Sequence, residues 1–463
     1  MKNYFITLLL SVCSLVAFAN DVSGVVSDSR NGKPLAGITV NLKNTSLWAV
    51  TDKDGKYMIN VPDEGGILTF YLKGKNITEQ VINQKSSLNV AVNPAEIMSG
   101  WKKGAWNMDL GGNINAHYIY TSTDKTPAKV DGNALLNTGK TGASSIQSGL
   151  LPTCLSFTAN TITSDSVTIA ATISLFAGTV SNNGLAYSDL DLRQSFVTVS
   201  KKGMGSFLLG RNFGLFGFDA IINDISLIGA GATALPSNPL NTTLGGIGYG
   251  YIYCDRLSQI NYTTPSAGGL DLTIGVFNPI NTSTLGMASN AGETGSSHPG
   301  IHGKVKYTNK SIYLSASFLS QSVKTGVSDF SANAVDIYGK LTTGGFSLAG
   351  YYYTGKGIGT TALLYDAADT KGIARSSSGY YAQASYTVGQ TKLGLNYGVS
   401  SIDKTTNDVT TALKKHQRIT LGLYRPIAGP LNLVVEFTNM KAVNQAGGDI
   451  TNNAFNVGVF LGF

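Results

Sequence analysis

Charged residues are scarce in this sequence. Asp, Glu, Lys and Arg make up 13% of its 463 residues, about half of the share usual in soluble proteins. A soluble domain covers its surface with charge, so this shortage argues against an ordinary soluble protein. The formal net charge of +7 is scattered, without a basic run interleaved with aromatic residues, and we therefore expect no nucleic-acid partner.

Cysteine is scarce as well, with three residues in the chain. Cys13 falls in the leader described below, and the other two, Cys154 and Cys254, are too few for a disulfide-stapled scaffold. Whether these two pair is left open by the sequence. No apolar stretch after the leader is long enough to form a transmembrane helix.

Patterns typical of enzymes and metal sites are also missing. The four histidines show no metal-ligand spacing with Asp, Glu or Cys. Gly355-Lys356-Gly357 lacks the spacing of a phosphate-binding loop and has Gly where Ser or Thr should follow the lysine. We therefore expect no metal, no cofactor and no enzymatic activity.

The first nineteen residues have the features of an export signal. Lys2 precedes an apolar run from residue 4 to residue 18, and Ala17-Phe18-Ala19 fits the small-x-small cleavage rule. This pattern predicts a signal peptide over residues 1–19 and a mature chain that starts near Asn20. Such a chain goes to the periplasm, the medium or the outer membrane.

The residues that are abundant favour the outer membrane. The chain has 55 Gly, 22 Tyr and 18 Phe. In its last segment, large apolar side chains stand on every second position: Phe455, Val457, Val459, Leu461 and Phe463. Side chains of a strand alternate between its two faces, so these five form one apolar row. In a closed transmembrane barrel such a row contacts lipid and both strand edges are paired.

The same period-two pattern recurs from residue 104 to residue 463. Apolar rows start at Ile312, Phe346, Leu393, Ile419 and Leu431, with Ser, Gly, Asn, Thr, Lys and Glu between the apolar positions. The length available gives about twenty-two residues per strand plus connector and hence about sixteen strands, although fourteen or eighteen would also fit. Long connectors are expected near residues 121–151, 212–250, 278–299, 355–378 and 403–414. The fold class is therefore all-β, with a transmembrane antiparallel barrel.

Residues 20–93 form a separate unit, followed by a linker over residues 94–103. Six short strands with turns between them predict a small β-sandwich: residues 22–26, 38–42, 47–51, 57–61, 67–72 and 88–92. The segments 24–28 (GVVSD), 32–40 (GKPLAGITV) and 51–59 (TDKDGKYMI) resemble the carboxypeptidase-regulatory-like domain. That resemblance implies a non-catalytic docking module. Asp52 and Asp54 suggest a tight turn rather than calcium, because the loop lacks the other oxygen ligands of an EF-hand.

Three segments after the boundary resemble the general trimeric porins of Gram-negative outer membranes. They are residues 192–199 (LRQSFVTV), 205–214 (GSFLLGRNFG) and 256–265 (RLSQINYTTP). In that family the segment after the Gly-Arg pair folds into the barrel and narrows the pore. The resemblance therefore implies a homotrimer with a constriction that contains the following residues: Arg211, Arg256, Arg193, Asp219 and Asp224.

One departure from the family bears on selectivity. The family's loop presents a carboxylate cluster near its tip, whereas residues 225–253 contain no acidic residue. A pore that lacks most of its acidic side has a weak net positive field, which favours anions mildly. By strand parity, four further residues are expected to line the lumen: Lys304, Lys306, Arg418 and Glu436.

The sequence therefore predicts an outer-membrane porin for passive diffusion of small hydrophilic solutes and ions, in contact with outer-membrane lipid. The domain at residues 21–93 would lie in the periplasm and dock a periplasmic protein. Two alternatives stay open. A substrate-selective channel would have a saturable site built from lumen tyrosines such as Tyr351 and Tyr353. An adhesive or structural protein would use the barrel as an anchor and the long loops as its binding surface.

Overall fold

The structure is a computed structural model. It describes residues 19–43, 47–62, 66–72, 75–82, 87–92, 102–103, 106–123, 127–132, 142–178, 190–234, 241–280, 297–324 and 328–463. The predicted signal sequence up to residue 18 and most of the predicted linker lie outside these ranges. The chain divides into two compact units, which consist chiefly of residues 1–100 and 101–462.

The first unit contains seven strands: β1 (Ala19–Asp28), β2 (Thr39–Leu42), β3 (Trp48–Val50), β4 (Lys56–Pro62), β5 (Gly66–Leu72), β6 (Lys75–Ile82) and β7 (Val90–Val92). They pair in two sheets, with the orders β4-β1-β7 and β3-β2-β5-β6. Alternate side chains of both sheets, among them Val26, Val40, Leu68 and Phe70, are buried in one apolar core. The period-two apolar pattern of these short segments thus gives two small sheets around a common core.

One strand of this unit, β6, was not predicted from the sequence. Its residues 75–82 (KNITEQVI) are mostly polar, and the strand lies at a sheet edge, where one row of backbone groups and one face meet solvent. The expected turn after residue 51 is present. The Asp52 carboxylate accepts hydrogen bonds from the backbone N–H groups of Asp54 and Lys56, both 2.9 Å long. These bonds stabilise the turn that follows Asp52.

The second unit is a closed antiparallel barrel. Its strands are β8 (Lys102–Lys103), β9 (Trp106–Thr123), β10 (Gly142–Gln147), β11 (Thr153–Ile162), β12 (Val167–Ala177), β13 (Leu190–Lys201), β14 (Gly205–Phe213), β15 (Arg256–Thr263), β16 (Leu270–Phe277), β17 (Gly300–Thr308), β18 (Ile312–Val323), β19 (Phe330–Thr343), β20 (Phe346–Lys356), β21 (Ser376–Val388), β22 (Thr391–Ile402), β23 (Leu413–Ala428), β24 (Leu431–Asn444) and β25 (Asp449–Gly462). Sixteen of these form the wall, and the two short strands β8 and β10 pair with β9. The barrel closes where β25 pairs with β9.

The alternation of side chains explains the barrel. Apolar residues on its outer face are exposed, as Leu393, Leu395 and Ile419 illustrate, while the polar residues between them point inward. Phe455 and Val459 of the last strand belong to the exposed outer set. The predicted all-β class with a transmembrane antiparallel barrel after a small β-sandwich is confirmed. None of the helices among the described residues is long and apolar enough to cross a bilayer.

The connections between wall strands alternate in length. One end of the barrel, which we call the short-turn end, has tight turns such as those at residues 344–345 and 389–390. The opposite, long-loop end carries the long connections, including residues 214–255, 357–375 and 403–412. The sequence placed these three at residues 212–250, 355–378 and 403–414, close to where they lie.

Candidate functional site in the barrel lumen

The connection between β14 and β15 enters the barrel, and we call its described residues 214–234 and 241–255 the constriction loop. Gly217, near the start of this loop, has φ +76°, a left-handed conformation that glycine adopts without strain. A five-residue helix, α1 (Phe218–Ile222), follows. The Gly217 N–H donates to Asp336 Oδ2 of β19 at 2.7 Å, and Asp336 also accepts from Ser317 Oγ and the Tyr351 hydroxyl at 2.5 and 3.0 Å. A wall carboxylate thus holds the start of the loop.

Asp219 of α1 fixes the next part of the loop to β17 and β18. Its carboxylate lies 3.1 Å from Lys304 Nζ and accepts hydrogen bonds from the Tyr313 hydroxyl at 2.8 Å and Ser315 Oγ at 2.5 Å. Only 4% of Asp219 is exposed. Two predicted site residues, Asp219 and Lys304, therefore neutralise each other at the loop–wall contact.

Asp224 makes a similar contact with β23. Its carboxylate lies 3.2 Å from Arg418 Nη2 and accepts a hydrogen bond from the Tyr251 hydroxyl at 2.8 Å. Arg418 Nη2 also donates to Asn396 Oδ1 at 2.8 Å. Neither side chain of the pair has any exposed surface. Arg418 therefore points inward as its strand parity predicted, but the loop covers it.

Glu436 of β24 binds the loop through the backbone. Glu436 Oε2 accepts from the N–H groups of Ala230 and Gly231 at 2.7 and 2.8 Å, and its other oxygen accepts from the Tyr424 hydroxyl at 2.6 Å. Asn456 Nδ2 donates to Oε2 at 3.1 Å. Glu436, predicted to line the lumen, is thus buried under the loop.

The tyrosines considered for a saturable site are covered as well. Tyr351 is 4% exposed and Tyr353 is not exposed. Phe216 of the loop packs edge-on against Tyr353, with 6.3 Å between ring centroids, and the Tyr381 hydroxyl donates to the Ala220 carbonyl at 3.2 Å. A solute in the lumen would not reach these rings, so the selective-channel alternative loses the residues named for it.

We call the inner faces of β18–β25 and β9 the covered wall and the inner faces of β11–β14 the open wall. On the covered wall, polar side chains such as Asn396, Thr420 and His117 are fully buried. On the open wall, small polar side chains including Ser156, Thr158 and Thr172 keep part of their surface exposed. The loop therefore lines one side of the barrel and leaves a hydroxyl-rich channel along the other.

Arg193 and Arg256 meet at one end of the open wall. Their guanidinium carbons lie 5.2 and 5.1 Å from the centre of the Phe176 ring, one of the geometries of cation–π contact. Arg193 Nε also lies 2.7 Å from Asp191 and remains partly exposed, whereas Arg256 is buried and donates to the Tyr253 hydroxyl. The structure therefore brings these two predicted site residues together beside the Phe176 ring.

Arg211 lies elsewhere. It follows Phe207 and Leu209 on the same face of β14, and all three are exposed while the residues between them are half-buried. Because the two apolar side chains belong to the outer face, strand alternation puts Arg211 on that face too. The role predicted for it in the constriction does not fit this placement, so Arg211 is left out of the function proposed below.

Three more lysines face the interior near the short-turn end. Lys306, predicted from the sequence, lies 3.2 Å from Asp271. Lys340 and Lys392 were missed, although both stand on the polar parity of their strands, and Lys392 directly precedes the apolar row that starts at Leu393. Lys340 Nζ donates to Asn223 Oδ1 of the constriction loop at 3.2 Å.

The long loops form a cap at the opposite end. Arg375 pairs with Asp366 at 2.6 Å and also with Asp408, which joins loop 357–375 to loop 403–412. Burial raises the pKa of Asp366 to about 6, against the effect of Arg375. The hydrogen bond from Arg375 lowers the pKa of Asp408 below its usual value. Asp369 accepts from Thr405 Oγ1 at 2.6 Å and adds a second link between the loops.

A closed barrel with an inward loop and one open polar wall defines a channel-forming membrane protein. A family model described as Gram-negative porin matches residues 91–414, more than half of the chain. The chain therefore belongs to the Gram-negative porin family. A second model, the CarboxypepD_reg-like domain, matches residues 22–99. Both predicted family resemblances are confirmed, and the protein is an outer-membrane channel.

Solved structures show the same fold. The outer membrane channel DcaP of Acinetobacter baumannii matches 79% of this chain and 99% of its own, with 17% identity and a TM-score of 0.61. OmpF of Salmonella typhi, solved in complex with daunomycin, matches 78% of this chain and 98% of its own, with 15% identity and a TM-score of 0.50.

One curated relative matches a short part of the chain. TonB-dependent receptor P3 of Formosa agariphila is 33% identical over 88 residues, which is 19% of this chain and 9% of the receptor. The chain thus spans less than a tenth of that relative's length.

Proposed function

We propose that this protein is a water-filled, non-enzymatic channel for passive diffusion of small hydrophilic solutes and ions, with a mild preference for anions. The observation that carries the proposal is the open wall of β11–β14. Its side chains, such as Thr158, Thr172 and Gln194, are small or uncharged and partly exposed. Such a surface hydrates a passage without a strong binding site.

The anion preference rests on how the inner charges pair. Asp219 of α1 forms an ion pair with Lys304, and Asp224, which follows α1, forms one with Arg418. The loop from residue 225 to residue 253 adds no other carboxylate. Arg193 is partly exposed but pairs with Asp191 at 2.7 Å, so the preference rests on the missing acidic loop tip rather than on an unpaired arginine.

We further propose that the chain is exported by a signal peptide over residues 1–19, forms a homotrimer, and places residues 21–93 in the periplasm to dock a periplasmic protein. Short turns face the periplasm in outer-membrane barrels, and β9 begins at that end. Chemical cross-linking of purified protein tests the trimer, and a purely monomeric product would exclude it. Loss of a specific cross-linked periplasmic partner on deletion of residues 21–93 would support the docking role.

Single-channel current of the purified protein in a planar bilayer tests the channel itself. We expect stepwise ohmic openings and, under a KCl gradient, a reversal potential that favours chloride. Arg193→Gln should shift this potential toward potassium, while Lys202→Gln in an exposed short turn is the matched control. A folded, inserted barrel that passes no current would favour an adhesive or structural anchor instead, a role that the joined long loops could serve.

A further inference from the structure

Lys340 and Lys392 differ from the other inner-face cations described above. Lys304, Arg418, Arg193 and Lys306 each have a carboxylate within 3.2 Å, and Arg256 is buried among aromatic rings. In the part of the chain that the structure describes, neither Lys340 nor Lys392 takes part in an ion pair. Two positive charges therefore remain uncompensated inside the barrel.

The two lysines lie on the same side of the constriction loop. Lys340 is near the end of β19 and Lys392 is the second residue of β22, so both belong to the short-turn end. Lys340 Nζ contacts Asn223, and Lys392 Nζ lies 5.7 Å from the centre of the Tyr424 ring. Both side chains are half-buried rather than sealed.

Among the described residues, the groups around this pair do not compensate its positive charge. The strand registers put Lys340 in one row with Ala349, Gln383 and Asn396, and Lys392 stands four residues from Asn396 on β22. Both ammonium groups therefore face the same part of the lumen. The Asp224 carboxylate of the loop is already engaged by Arg418 and Tyr251. The other groups nearby, Asn223 and Gln383, are neutral amides whose mutual contact runs from Gln383 Nε2 to the Asn223 carbonyl at 2.9 Å. An oxyanion between the lysines would relieve their repulsion.

We propose that Lys340 and Lys392 form a weak binding site for small oxyanions, such as carboxylates or phosphate, on the short-turn side of the constriction. This inference rests on the proposed channel function and deepens it, because it names the solute class and the residues that select it. Lysine suits such a site since its ammonium group is a mobile point charge. Weak binding near the exit raises the local anion concentration and still permits release.

The test is block of chloride current by inorganic phosphate added at the short-turn side of a planar bilayer at constant KCl. The wild-type channel should show block that saturates with phosphate and weakens as KCl rises, because salt screens the interaction. In the double variant Lys340→Gln/Lys392→Gln the inhibition constant should rise about tenfold, the effect expected when two partly solvated charge contacts are lost. Its reversal potential should also move toward potassium.

A matched control removes the same charge elsewhere. Lys202 and Lys310 are exposed in short turns at the same end, so Lys202→Gln/Lys310→Gln should leave the phosphate block unchanged. If the double variant does not insert, the single variants Lys340→Gln and Lys392→Gln test each half of the site. Conducting channels whose phosphate block is absent, or unaffected by these changes, would overturn the site while the channel function stands. A folded wild-type protein without any current would overturn the channel function itself.

Discussion

The covered wall and the open wall of the barrel have the same strand pattern, but their inner residues have different surroundings. Both alternate apolar outer residues with polar inner residues. On the covered wall the inner residues bind the constriction loop through Asp336, Arg418 and Glu436, all at most 7% exposed. On the open wall they contact neighbouring wall residues, as in the Thr158–Thr172 hydroxyl contact of 3.1 Å.

The difference shows what fixes the course of the passage. Ionisable residues stand where the wall meets the loop, because a buried charge or backbone N–H needs a partner. Small hydroxyl residues stand where the wall meets water, because their polar groups can be hydrated. The position of the charges on the inner face therefore determines which half of the lumen is filled.

The largest expected effect comes from placing one charge on each wall. Thr420 has no exposed surface and contacts Thr438 at 3.0 Å, so Thr420→Lys would bury an unpaired ammonium group at a cost of several kcal/mol. We expect this variant to lose the folded, heat-modifiable band on SDS gels. The matched Thr172→Lys change on the open wall should fold and shift the reversal potential toward chloride. Equal folding of the two variants would contradict the distinction between the walls.

A second test breaks the ion pair that joins loop and wall. Arg418→Met leaves the Asp224 carboxylate buried without its cation, which should lower the free energy of unfolding by about 3 kcal/mol or more. Adding Asp224→Asn should recover most of that loss, since no buried charge then remains. Urea unfolding of the three variants in lipid vesicles measures the cycle. Additive losses in the double variant would mean that the pair does not couple the two elements.

The loop cap should respond to pH in two opposite ways. Burial raises the pKa of Asp366 to about 6, so its folded form binds the proton more readily and this group favours the cap as pH falls from 7 to 4. The hydrogen bond from Arg375 lowers the pKa of Asp408. For Asp369, burial is outweighed by hydrogen bonds from Thr405 and Asn407, so its pKa is lowered as well. The stabilisation by these two groups is therefore present above the usual pKa near 3.8 and is lost below it. Cap stability should therefore be greatest near pH 4 to 5.

Hydrogen exchange of the Gly372 and Arg375 amides, corrected for the intrinsic effect of pH, measures this response. Asp366→Asn should flatten the profile above pH 4 and leave the loss at lower pH in place. Stability that rises steadily from pH 4 to pH 8 in the wild-type protein would contradict the assignment to Asp366.

The smallest effect is expected on the open wall. Thr158→Val removes one hydroxyl contact from a pair that water can replace, and should change the free energy of unfolding by about 0.5–1 kcal/mol at most. The same urea experiment measures it. A loss as large as that of Arg418→Met would indicate that the open wall is not hydrated.

Much of the fold could be predicted from the sequence because strand alternation is a local property. The apolar rows after Ile312, Leu393 and Leu431 identified the wall, and the polar parity placed Lys304, Arg418 and Glu436 on its inner face. Strand parity also places Arg211 on the outer face, together with Phe207 and Leu209. The resemblance of the Gly-Arg pair to the porin motif led to the opposite prediction.

Contacts within the lumen could not be predicted in this way. Which inner residues the loop covers depends on pairs far apart in the chain, such as Asp224 with Arg418 and Asp219 with Lys304. Strand parity does not contain that information. Strand parity alone would have placed Lys340 and Lys392 on the inner face. That they lack a carboxylate partner among the described residues can be seen only from the contacts in the structure.

The pairing of β25 with β9 sets the order in which the molecule can assemble. Gly462 lies beside Asn113 and Asn452 beside Thr123, so this seam joins the two ends of the barrel sequence. The sheets formed by β1–β7 involve only residues 19–92 and need no barrel strand to be complete. The barrel, in contrast, cannot close without β25. Until β25 is in place, one edge of β9 is unpaired, so the pairing of β25 with β9 is the step that closes the barrel.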